Sequence, residues 1–99
     1  MIIIAGRIRI QLEDRAAAIE AMSAMMAETV KEEGCVTYDF SADFQDDTLF
    51  HLFEEWESQE HLDAHFVAPH MATFQATLAT LGDREADIYR YVASEKAPL

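Results

Sequence analysis

Basic residues are scarce in this chain: seven Lys and Arg stand against 19 Asp and Glu, for a formal net charge of −12 at pH 7. A field of that sign repels nucleic acid phosphates and anionic membrane surfaces, so neither is expected as a partner, and a neutral substrate suits it better than a polyanion. Cysteine is limited to Cys35, which excludes an intrachain disulfide and removes any demand for an oxidising compartment. The apolar run at residues 1 to 5 is too short for a signal h-region or a membrane span, and no basic segment precedes it. A cytoplasmic location is therefore expected. Three Gly and two Pro are too few for a linker, and no repeat or low-complexity tract is present, so residues 1–99 read as one domain with 93–99 as a tail. A Ser-His-Asp spacing, a phosphate loop and a dinucleotide fingerprint are all missing, and no cofactor is announced.

Apolar residues, by contrast, make up 51% of the chain, with six Phe, three Tyr, one Trp and five Met. That is rich for a monomer of this size and points to apolar surface facing a partner subunit. The pattern along the chain orders the elements. Ile2, Ile4, Gly6, Ile8, Ile10 and Leu12 alternate onto one face of a first strand. Asp14 is placed to cap a long helix from Arg15 to Glu33, which Gly34 ends. Two strands follow around a polar turn near Gln45 to Asp47. On the first, Val36, Tyr38, Phe40 and Ala42 share a face. On the second, Phe50, Leu52, Glu54 and Trp56 share one face, and Leu49, His51, Phe53 and Glu55 the other. Ser58 begins a short helix to about Val67, Pro69 interrupts it, and Met71, Phe74, Leu78 and Leu81 continue at helical spacing before a last strand, "EADIYRYV". The order β-α-β-β-α-β predicts an α+β, ferredoxin-like sheet with helices on one face. Leu49, Phe53 and Tyr89 or Tyr91 on the other face would leave an apolar patch, so a homodimer packed sheet to sheet is expected.

Residues 54 to 70, "EEWESQEHLDAHFVAPH", hold three of the four histidines in 17 positions. His61 and His65 are one helical turn apart, with His70 beyond the proline, a set that offers three nitrogen ligands. "HLDAH" nevertheless lacks the glutamate that follows the first histidine in the common zinc signature, and no metal is expected. His61 reads as a solvated helix residue. His65, beside Leu62 and Phe66, is either a core histidine bonded to backbone or to a carboxylate, or a functional one; His70 either caps the break or faces a cavity. Glu54 stands on the face that the helices should cover. Burial would raise its proton affinity, and a histidine within reach would make a pair suited either to proton transfer or only to fixing the helix. Glu55, Glu57 and Glu60 read as a solvated acidic edge, and Cys35 lies among acids that discourage thiolate chemistry. Met22, Met25 and Met26 serve as core filler or as the flexible wall of a cavity for a planar ligand.

The segments "EEGCVTYDF" (32–40) and "FHLFEEWESQEHLDAHFVAPHMATF" (50–74) resemble the antibiotic biosynthesis monooxygenase (ABM) domain family, and within it the quinol monooxygenase branch. The resemblance implies a dimeric α+β barrel of ferredoxin-like protomers. It further implies oxidation of a quinol, anthrone or similar aromatic phenol by molecular oxygen, without flavin or metal. A base would make an electron-rich phenolate, and an apolar site would exclude water. His65, His70 and Glu54 are then the candidates for proton work, with Tyr38, Phe40, Trp56, Phe66, Phe74 and Met22 lining the substrate. The haem-degrading branch is similar in fold but carries an asparagine and a histidine where this chain has Ile8 and Phe74 or Gln75, so no haem is expected. Two alternatives stay open: an isomerase of a small hydroxyketone, whose phosphate Arg7 and Arg9 would approach from the wrong face, and a non-catalytic dimeric ligand-binding domain.

Overall fold

A computed structural model describes all 99 residues. Its elements are β1 (Ile2–Arg9), a 3-10 turn (Leu12–Asp14), α1 (Arg15–Thr29), β2 (Cys35–Ala42), β3 (Leu49–Trp56), α2 (Gln59–Phe66), α3 (Pro69–Ala79) and β4 (Glu85–Val92). The strands form one antiparallel sheet in the order β2-β3-β1-β4, the ferredoxin-like arrangement that the element order predicts. Alternation does the sorting: Ile2, Ile4 and Ile8 of β1 and Phe50, Leu52 and Trp56 of β3 lie buried beneath the helices with Ala18, Met22 and Met25 of α1. No helix is long and apolar enough to cross a membrane.

Several expectations need correction. β1 ends at Arg9, so Leu12 leaves the strand face and lies exposed in the 3-10 turn. Asp14 makes no side-chain cap; its Oδ2 instead accepts the Gly82 N–H at 2.9 Å, tying the start of α1 to the loop after α3. α1 stops at Thr29 rather than Glu33, which puts Glu32 in a turn and frees its side chain from the helical repeat. A bulge between Cys35 and Thr37 turns Val36 out to solvent while keeping Tyr38 opposite Glu54 and Phe40 opposite Leu52. Glu55 is buried, not part of a wet edge, and Lys96 Nζ from the C-terminal segment lies 3.0 Å from its Oε2.

On the sheet face away from the helices, Phe53, Tyr89 and Tyr91 are exposed as expected, whereas Leu49 is already buried. Ala5 pairs with Phe53 on one side and Tyr89 on the other, so the two rings flank a small residue in one row. On the opposite face, the β4 backbone at Asp87 and Ile88 leans into the space a Cβ on Gly6 would fill, which brings β4 in close to β1.

Ser58 caps α2 as its position predicts: its Oγ accepts the His61 N–H at 3.3 Å and lies 2.7 Å from His61 Nδ1. His61 is therefore not a free surface side chain. Its ring packs over Gly34, the single residue with positive φ, at +80°, where any Cβ would overlap the imidazole. Two requirements thus fall on one glycine, a left-handed turn and a close approach. Gly34→Ala is expected to lower stability by at least about 2 kcal/mol, or roughly 10 °C in Tm for a domain of this size. Thermal unfolding of Gly34→Ala with and without His61→Ala separates the two causes: the double variant should recover the overlap and keep only the cost of positive φ. An unchanged Tm in the single variant contradicts this account.

Candidate active site

A cavity of about 410 Å³ lies between the helix-facing side of the sheet and the α2–α3 segment, with 12 hydrophobic residues among the 17 that line it. Its volume falls within the roughly 300–1,000 Å³ of ligand sites. Tyr38, Phe40, Phe66 and Phe74 form part of its wall, together with Glu54 and His65. The other three sequence candidates lie elsewhere. Trp56 is fully buried behind Glu54, and Met22 is packed in the core beneath α1, beside a separate hollow of about 150 Å³. His70 lines an adjoining groove of about 480 Å³ between α1 and α3, which shares only Phe74 with the cavity.

The residue that organises the histidines is Glu32, which the sequence reasoning did not single out. Its Oε2 lies 2.6 Å from His65 Nδ1 and 2.7 Å from His70 Nε2. A carboxylate oxygen shared by two imidazoles accepts from both, so His65 carries its proton on Nδ1 and His70 on Nε2. His65 is almost completely buried, and its ring is packed between Trp56 at 4.8 Å and Tyr38 at 5.4 Å between centroids. No protein group bonds its Nε2. The ring is thus held in one tautomer and one orientation, on a residue of the cavity wall whose unprotonated nitrogen has no protein partner.

Glu54 does not pair with a histidine. Its Oε1 accepts the Trp56 Nε1–H at 2.8 Å, an i, i+2 contact on one strand face. Burial pushes its carboxyl from an ordinary 4.5 up to about 7; the indole N–H opposes the rise, and the nearby Glu32 charge adds to it. With Oε1 engaged, a proton on Glu54 resides on Oε2. Burial, and then the charges of Glu54 and Glu32, also push the Tyr38 phenol well above its usual range, so it stays neutral. Burial first, and then the charges of Glu32, Glu54 and Asp39, raise the Cys35 thiol to about 11, which agrees with the expectation that it is no nucleophile.

Glu32, His65 and His70 also bring together a set of metal-ligand types, with their ligand atoms within 4.8 Å of one another. Two nitrogens on one ion at about 2.1 Å each stand at most about 4.2 Å apart. Here the Glu32 oxygen itself occupies the space between the rings at hydrogen-bond lengths, and an ion would require the rings to close in. The geometry is that of one carboxylate oxygen shared by two imidazoles. Two further residues that sequence reasoning passed over are Arg84 and Arg90, which line the cavity, whereas Arg7 and Arg9 face the other side of the sheet as expected.

The fold is a ferredoxin-like α+β protomer with an aromatic cavity over its sheet and with Glu54 and His65 in that wall. The chain belongs to the antibiotic biosynthesis monooxygenase family, whose model matches residues 1–77. An uncharacterised Synechocystis protein is 29% identical over 98 residues, covering 99% of this chain and 67% of that protein. Among solved structures, a Mycobacterium tuberculosis protein superposes with a TM-score of 0.86 at 26% identity, over 98% of each chain. A Deinococcus radiodurans protein, provisionally described as an antibiotic biosynthesis monooxygenase, gives a TM-score of 0.91 at 23% identity, covering 100% of this chain and 98% of that one. That last likeness speaks to the fold alone.

The raised Glu54 carboxyl has a consequence for stability. Between pH 4.5 and about 7 the folded chain binds a proton that the unfolded chain has lost, so this residue's contribution falls as pH rises through that window. Glu54→Gln, which keeps an acceptor for Trp56, is expected to be close to neutral at pH 4.5 and to stabilise the fold by about 2–3 kcal/mol at pH 8. Urea unfolding at the two pH values checks this. A variant equally destabilised at both would contradict the assigned burial.

Proposed function

We propose that this protein is a cofactor-independent monooxygenase that oxidises a quinol, anthrone or related aromatic phenol with molecular oxygen. The observation that carries the reading is His65, a cavity-wall imidazole whose Nδ1 is fixed by Glu32 at 2.6 Å. In this scheme Nε2 takes the phenolic proton, and Glu32 stabilises the imidazolium that forms. The resulting phenolate passes one electron to oxygen, the radical pair joins through a carbon–oxygen bond, and the peroxide takes up a proton. Loss of water from the C–OOH group breaks the oxygen–oxygen bond and leaves a carbonyl. One oxygen atom ends in the product and the other in water, and the substrate supplies all four electrons.

Glu54 in its protonated form donates from Oε2 to the developing oxyanion, while the aromatic wall of Phe40, Phe66 and Phe74 holds the ring and keeps water out. His70 serves by holding Glu32, and Trp56 by holding Glu54, so both act through another residue. Met22 has a packing role only. The isomerase reading draws on one observation, the two arginines at the cavity, but the apolar wall suits an aromatic better than a small polar sugar derivative. We also propose that residues 1–99 act as one ABM domain paired with a second copy through the face that carries Phe53, Tyr89 and Tyr91. Sedimentation equilibrium should then return twice the chain mass, and Phe53→Glu the single mass; a monomeric native protein would oppose it.

Oxygen uptake by chelator-treated protein with a naphthohydroquinone or anthrone, corrected for autoxidation, tests the oxygenase. Saturable uptake is expected, with kcat lowered about 10²- to 10⁴-fold in His65→Ala and less in Glu32→Gln. Because the Glu54 donor is lost as pH rises through about 7, kcat should decline on that limb, and Glu54→Gln should remove the decline. Absence of uptake above background across several such substrates, or a His65→Ala variant that loses stability and not turnover, would contradict the reading.

A further inference from the structure

Of the seven basic side chains, Arg9, Lys31 and Lys96 are paired with Asp46, Glu28 and Glu55. The other four, Arg7, Arg15, Arg84 and Arg90, have no carboxylate partner, although 19 acids are present, and of these Arg84 and Arg90 line the cavity. Each spends one donor: Arg84 Nη1 on the Leu78 carbonyl at 3.2 Å, and Arg90 Nη1 on Gln59 Oε1 at 3.3 Å. A guanidinium carries five N–H donors, so most of each fork is left free at the rim of an otherwise apolar space. In a chain of net charge −12, cations that find no carboxylate along one cavity are a local reversal of the field.

The strand register gives this reversal a direction. Ile4 pairs with Glu54 on one side and with Arg90 on the other, so the three residues form one row across the sheet. At about 4.8 Å between neighbouring strands, the backbones of Glu54 and Arg90 stand roughly 10 Å apart. Ile4, Ile8 and Leu52 make the apolar floor nearby, and Phe40 and Phe74 stand over it with their ring centroids 5.8 Å apart. The cavity therefore has a proton-handling side at Glu54 and His65, an apolar middle, and a cationic side at Arg90, whereas Arg84, six residues earlier in an extended chain, stands roughly 20 Å along the sheet from it.

We propose that the substrate is an aromatic hydroxy compound bearing an anionic group, carboxylate or phosphate, about one fused two-ring system away from the hydroxyl that loses its proton. Arg90 binds the anion while the ring crosses the apolar floor. The inference deepens the oxygenase reading and rests on it. It also qualifies the preference for a neutral substrate that the net charge suggests: the overall field opposes a polyanion, but a guanidinium without a carboxylate partner favours a single anionic substituent.

Binding that involves no turnover separates this inference from the oxygenase. Calorimetry would compare 6-hydroxy-2-naphthoate and 6-hydroxy-2-naphthyl phosphate with 2-naphthol, for the native chain, Arg90→Gln, and Arg84→Gln. At least one anion should bind about tenfold tighter than 2-naphthol, as charge-assisted hydrogen bonds allow. That advantage should vanish in Arg90→Gln and persist in Arg84→Gln, with 2-naphthol affinity unchanged. The tighter of the two anions identifies which group the site takes. Anions that bind no better than 2-naphthol, or not at all, or a preference that survives Arg90→Gln or is lost in Arg84→Gln, overturn the proposal. If anion preference fails while oxygen uptake persists, the inference alone falls; if the preference holds with no uptake, the oxygenase reading falls.

Discussion

Glu32 Oε2 stands between His65 of α2 and His70 of α3, at 2.6 and 2.7 Å. The arrangement rests on that one shared acceptor. α2 and α3 meet at a break before Pro69, and neither helix is long enough to be stable by itself. The carboxylate after α1 ties both to the rest of the chain, and in doing so fixes the roof of the cavity over the sheet. The turn that delivers Glu32 depends on α1 ending at Thr29 and on the positive φ of Gly34, whose missing side chain makes room for His61 of α2. Helix end, turn and histidine pair are thus one construction.

The two carboxylates near His65 are set to different tasks by their surroundings. Glu32, placed to accept from two imidazoles, suits the role of orienting a base. Glu54 is enclosed by Trp56, Tyr38 and the apolar floor, and its carboxyl rises to about 7, which lets it carry a proton near neutrality. One site can therefore take a proton at His65 and give a hydrogen bond at Glu54, a division of labour set by burial and partners rather than by residue type. For oxygen chemistry driven by the substrate's own electrons, that is the work left to the protein.

How much of this was legible in the sequence follows from the range of each signal. Strand alternation placed Glu54 between Leu52 and Trp56 on the covered face, and helical spacing set His65 beside Leu62, because those relations are local. The ferredoxin-like order was legible for the same reason. Glu32 was not, since its partners lie 33 and 38 residues away and its own segment looked like the acidic end of a helix. The available signal was its place at the head of "EEGCVTYDF", directly before the Gly34 stop. Proximity in sequence suggested a Glu54–histidine pair, but the Trp56 indole, two residues along the same face, reaches Glu54 first. Arg84 and Arg90 were passed over because β4 is brought against β1 only by long-range pairing. Lys96 reached Glu55 from a segment with no regular structure, so no periodicity marked it.

The account turns on His65 presenting an unprotonated Nε2 because Glu32 holds the proton at Nδ1. Long-range proton–nitrogen correlation spectra of the imidazole rings near pH 8, assigned by comparison with His65→Gln, read that tautomer directly. The account predicts the Nδ1–H form for His65, with a hydrogen-bonded Nδ1 proton shifted to low field, and loss of that form in Glu32→Gln. Finding His65 in the Nε2–H form in the native protein, or in the same state with and without the Glu32 carboxylate, would contradict it.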